Sequence, residues 1–392
     1  MAKWPQTKLG QISQIYSGFA FRSQDLGDHG IPVLKIANIQ NKRVSPECSD
    51  HFPEELYTGK LNRFLLHPDD TLIAMTGAGS VGKVGRMPRN PGRFLVNQRV
   101  AIVRPDSSKC DPAFVYFALS QDHYEKLLYG FGLGAGQPNI SGKQIGELEL
   151  PFPPLPIQQR IAGILSAYDE LIENSHRRIK ILESIARALY REWFVHFRFP
   201  GYESVPRVPS PLGEIPKGWE VRRIDEALSF ESGRTIKKEE RESGDTPVYG
   251  ANGIIGGTSN SPMADKCIIM GKIGSCGALH RSHMPCWVTN NAFLVKPAAI
   301  QSWELAWLTL LEIDFRQYVG GAANPYMPIN AFGQHEILVA PDDVQVGFQK
   351  RAAPLRSLVD TLSDRVDNLR RTRDLLLPRL LSGQIDVEAI AS

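Results

Sequence analysis

Residues 157–193, IQQRIAGILSAYDELIENSHRRIKILESIARALYREW, carry a long and regular hydrophobic repeat. The apolar positions recur in steps of three, four or seven, with one shift between Leu171 and Ile172, and they are Ile157, Ile161, Ile164, Tyr168, Leu171, Ile172, Ile179, Leu182, Ala186, Leu189 and Trp193. This spacing is typical of a coiled-coil seam, which is narrower than the apolar stripe of a globular surface helix. At about 1.5 Å per residue, it predicts a helix roughly 50 Å long.

A second segment near the end of the chain has the same spacing. Its apolar positions are Phe348, Ala352, Leu355, Val359, Leu362, Val366, Leu369, Leu376 and Leu380. Arg373 interrupts the seam, and Pro354 predicts either a kink or the true start of the helix. We expect the two helices to pair antiparallel; two unrelated surface helices are the alternative.

The sequence between the two helices repeats the sequence before the first one. Trp4, Ser17-Gly18 and Pro32-Val33 recur 215 positions later as Trp219, Ser232-Gly233 and Pro247-Val248. At a displacement of 195, Ile73, Met75, Gly79-Ser80 and Gly82 match Ile268, Met270, Gly274-Ser275 and Gly277, and Val96-Asn97-Gln98 is then placed opposite Thr289-Asn290-Asn291. Short β runs interrupted by Gly and Pro, with one helix in each copy, indicate an α+β unit. The predicted fold is therefore two pseudo-repeated β-rich domains, separated by two long antiparallel coiled-coil helices and related by a pseudo-twofold axis.

Composition excludes several classes of protein. The formal net charge of +3 is too small to indicate a polyanion partner by itself, so any basic surface must be local. No apolar run approaches the ~20 residues of a membrane-spanning helix, and the N-terminus MAKWPQTKLG has no apolar signal core. Five cysteines suit a reducing compartment better than a disulfide framework, so we expect a cytoplasmic protein without a membrane partner.

A glycine-rich stretch, MTGAGSVGKVGR at residues 75–86, matches the G-x-x-x-x-G-K core of a phosphate-binding loop. Val84 occupies the place of the magnesium-binding hydroxyl, and the glycines and prolines that follow cannot sustain the required helix. The second copy has Ala278 where the first has Lys83. The stretch is therefore predicted to be a repeated structural turn at the edge of a basic surface, in which Lys83 and Arg86 are candidate contacts with the phosphates of another molecule.

Both copies contain a window that is basic and free of acidic residues, at Thr71–Pro105 and at Lys266–Trp303. Duplication of such a window favours a phosphate-contacting surface, although a merely solvated basic face is the alternative. Asn and Gln side chains nearby can read base edges, and they are also ordinary turn formers. The candidate DNA-binding residues are Lys83, Arg86, Arg89, Arg93, Asn97, Gln98, Gln137, Asn139, Lys272, Arg281, Asn290, Asn291, Asn324 and Tyr326.

Motifs for catalysis or metal binding are weak in this sequence. Asn324-Pro325-Tyr326 lacks the second proline of the Asn-Pro-Pro-Tyr motif of DNA adenine methyltransferases, and no glycine-rich turn for a methyl donor accompanies it. The spacing of Cys267, Cys276, His280, His283 and Cys286 is not a paired zinc pattern. We therefore expect a binding protein that has no catalytic residues, no metal and no cofactor of its own.

Four motifs carry a resemblance to a known family, the specificity subunit of type I restriction-modification systems. They open and close the first helix, lead into the second copy and end the second helix: Leu155-Pro156-Ile157-Gln158-Gln159-Arg160-Ile161, Leu189-Tyr190-Arg191-Glu192-Trp193-Phe194, Gly213-Glu214-Ile215-Pro216-Lys217-Gly218-Trp219 and Leu377-Pro378-Arg379-Leu380-Leu381-Ser382-Gly383-Gln384-Ile385. The likeness spans essentially the whole chain, whereas the globular regions match only in general layout.

The resemblance implies a division of the chain into target recognition domains and spacers. These are a first recognition domain at 1–155, a first spacer helix at 156–198, a linker at 199–212, a second recognition domain at 213–340, a second spacer helix at 341–385 and a tail at 386–392. Each recognition domain would bind one half of a bipartite double-stranded DNA site. The helices would fix the gap between the halves and dock two methylation subunits.

The resemblance also assigns the chemistry to partners. Methyl transfer from S-adenosylmethionine would belong to the methylation subunits, and ATP- and magnesium-dependent translocation and cleavage to restriction subunits. The second helix begins at Pro341-Asp342-Asp343-Val344-Gln345-Val346, without the Pro-Leu-x-x-Gln start of the first helix, which indicates looser or asymmetric docking there. The alternative functions are a fused DNA adenine methyltransferase and a coiled-coil scaffold or adaptor without DNA specificity.

Overall fold

The computed structural model describes residues 4–87, 92–133, 138–321 and 325–387. The chain divides into two compact units, and each long helix contributes to both. Unit 1 comprises Met1–Glu173 and Val366–Ser392, and unit 2 comprises Asn174–Arg365. The domain boundaries that the sequence suggested stay a prediction. Within the described residues, no helix combines the length and the apolarity that crossing a bilayer requires.

Unit 1 contains a mixed set of short strands and helices. Its strands are β1 (Gln6–Lys8), β2 (Ser13–Ser17), β3 (Ile31–Leu34), β4 (Ile39–Gln40), β5 (Arg43–Val44), β6 (His51–Phe52), β7 (Thr71–Ala74), β8 (Val84–Arg86), β9 (Leu95–Val96), β10 (Val100–Pro105) and β11 (Glu149–Pro151). Its helices are α1 (Leu9–Ile12), α2 (Pro112–Leu119), α3 (Asp122–Phe131), α4 (Gly142–Gly146) and the first half of α5 (Leu155–Tyr190).

The sheets of unit 1 enclose one large apolar core and two smaller ones. The principal sheet has the strand order β2-β10-β7-β8-β5-β4, and a second sheet has the order β6-β3-β9. Helix α2 packs on the principal sheet and is almost wholly buried. It begins where it does because the Asp111 carboxylate accepts the Phe114 N–H and Pro112 occupies the first turn.

Unit 2 has the corresponding elements. Its strands are β12 (Arg207–Ser210), β13 (Gly213–Pro216), β14 (Glu220–Arg223), β15 (Leu228–Ser232), β16 (Thr246–Gly250), β17 (Gly253–Thr258), β18 (Cys267–Gly271), β19 (Leu279–Ser282), β20 (Trp287–Val288), β21 (Ala292–Pro297) and β22 (Glu336–Val339). Its helices are α6 (Ile224–Ala227), α7 (Trp303–Leu311), α8 (Ile329–Phe332), the second half of α5 and most of α9 (Asp342–Leu381), whose end belongs to unit 1.

The duplication predicted from sequence is confirmed by the topology of the two units. Unit 2 repeats the strand order as β15-β21-β18-β19 and β17-β16-β20. The parallel pair β3–β9 has its counterpart in the parallel pair β16–β20. The Ser302 hydroxyl caps α7 by accepting the Leu305 N–H, as Asp111 caps α2.

Strand register corrects part of the sequence alignment. Ala74 pairs with Val100, and Gly271 pairs with Ala292, so β7 and β18 correspond at a displacement of 197 instead of 195. Met75 therefore corresponds to Lys272 and not to Met270. The displacement of 195 holds beyond the glycine turn, where Gly82 and Gly277 both donate back to the strand. The sequence identities could not reveal this difference because the two turns differ in length.

The long helices predicted from their seams are present. Within unit 1, Ile157, Ile161 and Leu165 of α5 share a buried core with Leu380 and Leu381 of α9. Within unit 2, Tyr190, Trp193 and Phe194 at the other end of the first helical segment pack around Phe348 of α9. In unit 1 the beginning of α5 contacts the end of α9, and in unit 2 the end of the first helical segment contacts the beginning of α9. The helices therefore pair antiparallel, as predicted.

Two details of the helices refine what the sequence suggested. Helix α9 begins at Asp342, so Pro354 does not mark its start. The second start also keeps the glutamine of the first. Gln158 Nε2 donates to the Pro153 carbonyl at 2.8 Å, and Gln345 Nε2 donates to the Ala340 carbonyl at 2.9 Å, and both glutamines are buried. Only the leucine of the Pro-Leu-x-x-Gln pattern is replaced, whereas looser docking at this end stays a prediction.

Candidate nucleic-acid interface

Three loops meet at one end of the principal sheet of unit 1. They are the glycine turn at 76–83, the turn at 97–99 and the segment at 138–140, and we call this surface corner 1. The Met75 N–H donates to the Arg99 carbonyl at 2.9 Å, and the Gly77 N–H donates to the Pro138 carbonyl at 3.2 Å. Backbone hydrogen bonds thus hold the three loops together.

The same three loops meet in unit 2. Corner 2 consists of the turn at 272–278, the turn at 289–291 and the segment at 325–327. The Lys272 N–H donates to the Asn291 carbonyl at 2.8 Å, as Met75 does to Arg99. The Gly274 N–H donates to the Pro325 carbonyl at 2.9 Å, and the Met327 N–H donates to the Lys272 carbonyl at 2.9 Å.

A glycine fixes the middle turn of each corner. A Cβ atom added to Gly18 would lie 2.1 Å from the Val96 carbonyl oxygen, and one added to Gly233 would lie 2.2 Å from the Thr289 carbonyl oxygen. Only a residue without a side chain allows this approach. The Ser-Gly pair that repeats in the sequence therefore has the same structural role in both units.

Corner 1 presents amide and cationic side chains. Gln98, Arg99 and Asn139 are exposed, and Lys83 and Asn97 are half-buried. Asn97 Oδ1 accepts the Arg99 N–H at 3.2 Å, so Asn97 shapes the turn while its neighbours face solvent. Among the described residues, neither Lys83 nor Arg99 has an acidic partner within ion-pair distance.

Corner 2 presents a similar set with an aromatic ring added. Asn290, Asn291 and Tyr326 are exposed. Lys272 Nζ lies 5.9 Å from the centroid of the Tyr326 ring and 3.2 Å from Ser232 Oγ. In the described parts of the chain, no carboxylate pairs with Lys272, so its charge is available to an anion.

Arg86 and Arg281 lie elsewhere, at equivalent positions of β8 and β19. Each pairs with the equivalent residue of the neighbouring strand, Arg86 with Thr71 and Arg281 with Ile268. The Arg86 guanidinium lies 5.7 Å from the centroid of the Tyr116 ring, and that of Arg281 lies 4.7 Å from the Trp307 ring. Both side chains are only 15% exposed.

The electrostatics of Arg281 are those of a buried ion pair. Its guanidinium lies 3.2 Å from the Glu304 carboxylate. Burial raises the pKa of Glu304, and the charge of Arg281 and its hydrogen bond oppose that effect. Burial likewise raises the pKa of Tyr116 in unit 1. A DNA contact by Arg86 or Arg281 stays a prediction, but both guanidinium groups already stabilise packing between a strand and a helix.

The other predicted residues are placed as follows. Arg93 is exposed, with its guanidinium 2.6 Å from the Glu54 carboxylate and 4.2 Å from the centroid of the Tyr57 ring. Arg89, Gln137 and Asn324 lie outside the described residues. The structure thus brings Lys83, Asn97, Gln98 and Asn139 to corner 1, and Lys272, Asn290, Asn291 and Tyr326 to corner 2.

Two exposed arginines were missing from the predicted set. Arg99 lies in the basic window but was not among the candidates, and Arg234 lies outside both windows. The Arg234 N–H donates to the Val288 carbonyl at 2.9 Å, which puts this residue beside corner 2. Its position directly after the repeated Ser-Gly pair was the available signal.

The glycine-rich stretch and two of the cysteines have structural roles. Lys83 is followed by strand β8, which pairs antiparallel with β7, so the stretch is a β-turn region and not a phosphate-binding loop before a helix. Cys267 and Cys286 are buried in an apolar cluster with Ile269, Val288 and Leu294. Within the described residues, no three side chains are grouped as metal ligands.

The sequence is similar to two proteins named as specificity subunits. The type I restriction enzyme MjaIX specificity subunit of Methanocaldococcus jannaschii is 26% identical over 349 residues, which cover 83% of this chain and 80% of the relative. The type I restriction enzyme HindI specificity subunit of Haemophilus influenzae is 23% identical, with 98% of this chain and 100% of the relative covered.

A solved structure and a family profile agree with these similarities. The crystal structure of the S subunit of a type I restriction-modification system from M. genitalium has the same fold, with a TM-score of 0.59, 20% identity and coverage of 97% of this chain and 96% of that one. The profile of the family described as "Type I restriction modification DNA specificity domain" matches residues 1–184 and 216–351, once for each copy. The chain therefore belongs to the family of type I restriction-modification DNA specificity domains.

Proposed function

We propose that this chain is the non-catalytic subunit that gives a type I restriction-modification enzyme its DNA sequence specificity. Corner 1 binds one half of a bipartite double-stranded site, and corner 2 binds the other half. The observation that carries the proposal is that one chain presents the same corner twice, each time with exposed amides and with cations that no carboxylate among the described residues neutralises.

The side chains at the corners suit duplex DNA. Lys83 and Lys272 offer positive charge to phosphate oxygens, which supply most of the affinity and little sequence information. Exposed Gln and Asn amides form the bidentate contacts by which proteins recognise adenine in the major groove. The backbone hydrogen bonds of the corners fix these groups before DNA arrives, which reduces the entropy cost of binding.

Partners supply the chemistry in this proposal. Two methylation subunits dock on the predicted spacer helices, residues 156–198 and 341–385, and restriction subunits complete the enzyme. S-adenosylmethionine, ATP and magnesium bind to those partners. Several large apolar side chains along the long helices are exposed and available to a protein partner, namely Ile181, Ile185, Leu358 and Leu375.

Selection from a randomised duplex library with the purified full-length chain tests the DNA proposal. We expect enrichment of two defined half-sequences separated by a gap of fixed length. Affinity should fall steeply with salt, because phosphate contacts release counterions. Enrichment of no sequence, with or without a methylation subunit present, would favour the scaffold hypothesis.

A methyl-transfer assay separates this proposal from a fused methyltransferase. The chain alone should transfer no methyl group from S-adenosylmethionine to any DNA, and activity should require added methylation subunits. Transfer by the chain alone would contradict the assignment of methyl transfer to partners.

Exchange of the globular part of unit 1 for that of a relative tests the two-module arrangement. This exchange should change one half-sequence of the selected DNA, whereas a change in both halves would contradict the arrangement.

A further inference from the structure

The turns at 97–99 and 289–291 have the same backbone hydrogen bond in the two units, and at one of their two exposed positions they differ in the chemical type of the side chain. The Val100 N–H donates to the Asn97 carbonyl at 2.9 Å, and the Ala292 N–H donates to the Thr289 carbonyl at 3.0 Å. Gln98 therefore corresponds to Asn290, and Arg99 to Asn291. This corrects the sequence alignment by one residue, because that alignment placed Gln98 opposite Asn291. The first position carries an amide in both units, whereas the second carries a guanidinium in unit 1 and an amide in unit 2.

The backbone of the turn in unit 1 is fixed at each residue. The Asn97 N–H donates to the Leu34 carbonyl and the Gln98 N–H donates to the Phe19 carbonyl, at 3.0 and 2.9 Å. The Arg99 N–H donates to Asn97 Oδ1 at 3.2 Å. The Arg99 carbonyl accepts the Met75 N–H. These bonds engage all three backbone N–H groups of the turn, so its remaining donors for base contacts are side-chain groups, of which those of Gln98 and Arg99 are exposed.

The Arg99 side chain is free to make such a contact. It is exposed, and in the described parts of the chain it pairs with no carboxylate and no aromatic ring. Arg104 differs because Asp70 binds it through two hydrogen bonds, at 2.6 and 2.8 Å. The planar guanidinium group of an exposed, unpaired arginine can form two parallel hydrogen bonds to one acceptor edge.

We propose that the second position of this turn determines one base in each half-site: Arg99 binds a guanine in the half read by unit 1, and Asn291 binds an adenine in the half read by unit 2. The inference rests on the proposed function. Its chemistry is the pairing of a guanidinium with guanine O6 and N7, and of a carboxamide with adenine N6 and N7. The hydrogen-bonded turn fixes the backbone position of this residue in both units, and the type of side chain determines which base is bound.

Reciprocal substitution tests the proposal. The probe is a randomised duplex library, selected with the full-length wild-type chain and with the variants Arg99→Asn and Asn291→Arg. For Arg99→Asn, we expect the preference for guanine over adenine at one position to fall by about ten- to a hundredfold, with the other half-site unchanged. Asn291→Arg should cause the opposite change, in the other half only.

Lys109→Ala is the control for loss of a positive charge. Lys109 is exposed, follows the opposite end of β10 from Arg99, and lies 3.3 Å from Asp106. This variant should select the wild-type sequence. Circular dichroism and thermal unfolding verify the fold of each variant, and because the substitutions lie in different units, a variant that fails to fold leaves the other to decide.

Two outcomes overturn the inference in different ways. Variants that fold and select the wild-type sequence at every position would show that this position does not specify a base, while the proposed function stands. A wild-type chain that enriches no sequence would refute the proposed function and this inference with it.

Discussion

At the residue scale, Gly18 and Gly233 have consequences that can be measured directly. Gly18→Ala or Gly233→Ala would force a carbonyl away from its present position, because the added methyl would overlap it. We expect each substitution to lower stability by about 1–3 kcal/mol, as for other overpacked sites. Urea unfolding measures the change.

Gly27→Ala is the matched control for these substitutions. No atom lies within 4 Å of a Cβ built at Gly27, so its unfolding midpoint should stay close to that of the wild type. Gly18→Ala and Gly233→Ala should also each lose base preference in one half-site only, since each of these glycines positions one corner. Equal midpoints for Gly18→Ala and Gly27→Ala would refute the close approach at Gly18.

Individual side chains also show how far sequence could predict the site. The amides at 97–98, 139 and 290–291, which are exposed except for the half-buried Asn97, were predictable because they follow or adjoin repeated strands. Arg86 and Arg281 belong to the same basic windows, but their guanidinium groups face Tyr116 and Trp307 on a helix. The sequence shows that an arginine is positively charged. The direction in which its guanidinium group points depends on which face of the strand packs against the helix.

At the element scale, the polar interruption of the second seam is an ion pair. Arg373 in α9 lies 2.5 Å from Asp169 in α5, and both side chains are about one-fifth exposed. Arg373→Leu should destabilise unit 1 by about 1–3 kcal/mol, because it leaves a largely desolvated carboxylate without its partner. Thermal unfolding measures the loss.

The double variant separates pairing from packing. Arg373→Leu combined with Asp169→Leu should recover most of the stability, since two apolar side chains can replace a buried pair at little cost. A double variant as unstable as the sum of the two single changes would refute coupling between these residues.

The sequence predicted the long helices correctly, but it did not align the strands of the two units correctly. The helical seams predicted α5 and α9 because apolar residues spaced three and four apart over many turns are characteristic of paired helices. The sequence alignment of β7 with β18 was wrong by two residues. Short strands share few identities, and the following turns differ in length, so the identities beyond the turn do not give the alignment of the strands. Only hydrogen-bond register, which joins residues far apart in sequence, resolved it.

At the scale of the whole molecule, the long helices belong to both units and should fix the gap of the recognised site. Inserting seven residues after Glu173 and seven after Arg365 would lengthen both helices where the units divide. Seven residues add about 10 Å, so we expect a gap longer by about three base pairs with unchanged half-sites. Library selection measures the gap.

An insertion in one helix alone is the control for this prediction. It would shift one seam against the other and should lower the unfolding temperature. A double insertion that binds the original gap would contradict the role of the helices as a spacer.

The division of the chain has a consequence for its synthesis. Unit 2 is a continuous segment, whereas unit 1 needs the last helix of the chain to bury Leu380 and Leu381 against its core. The globular domain that leaves the ribosome first is therefore completed last. A premature stop codon shortly after Arg365 would spare unit 2, and it would remove part of the core of unit 1.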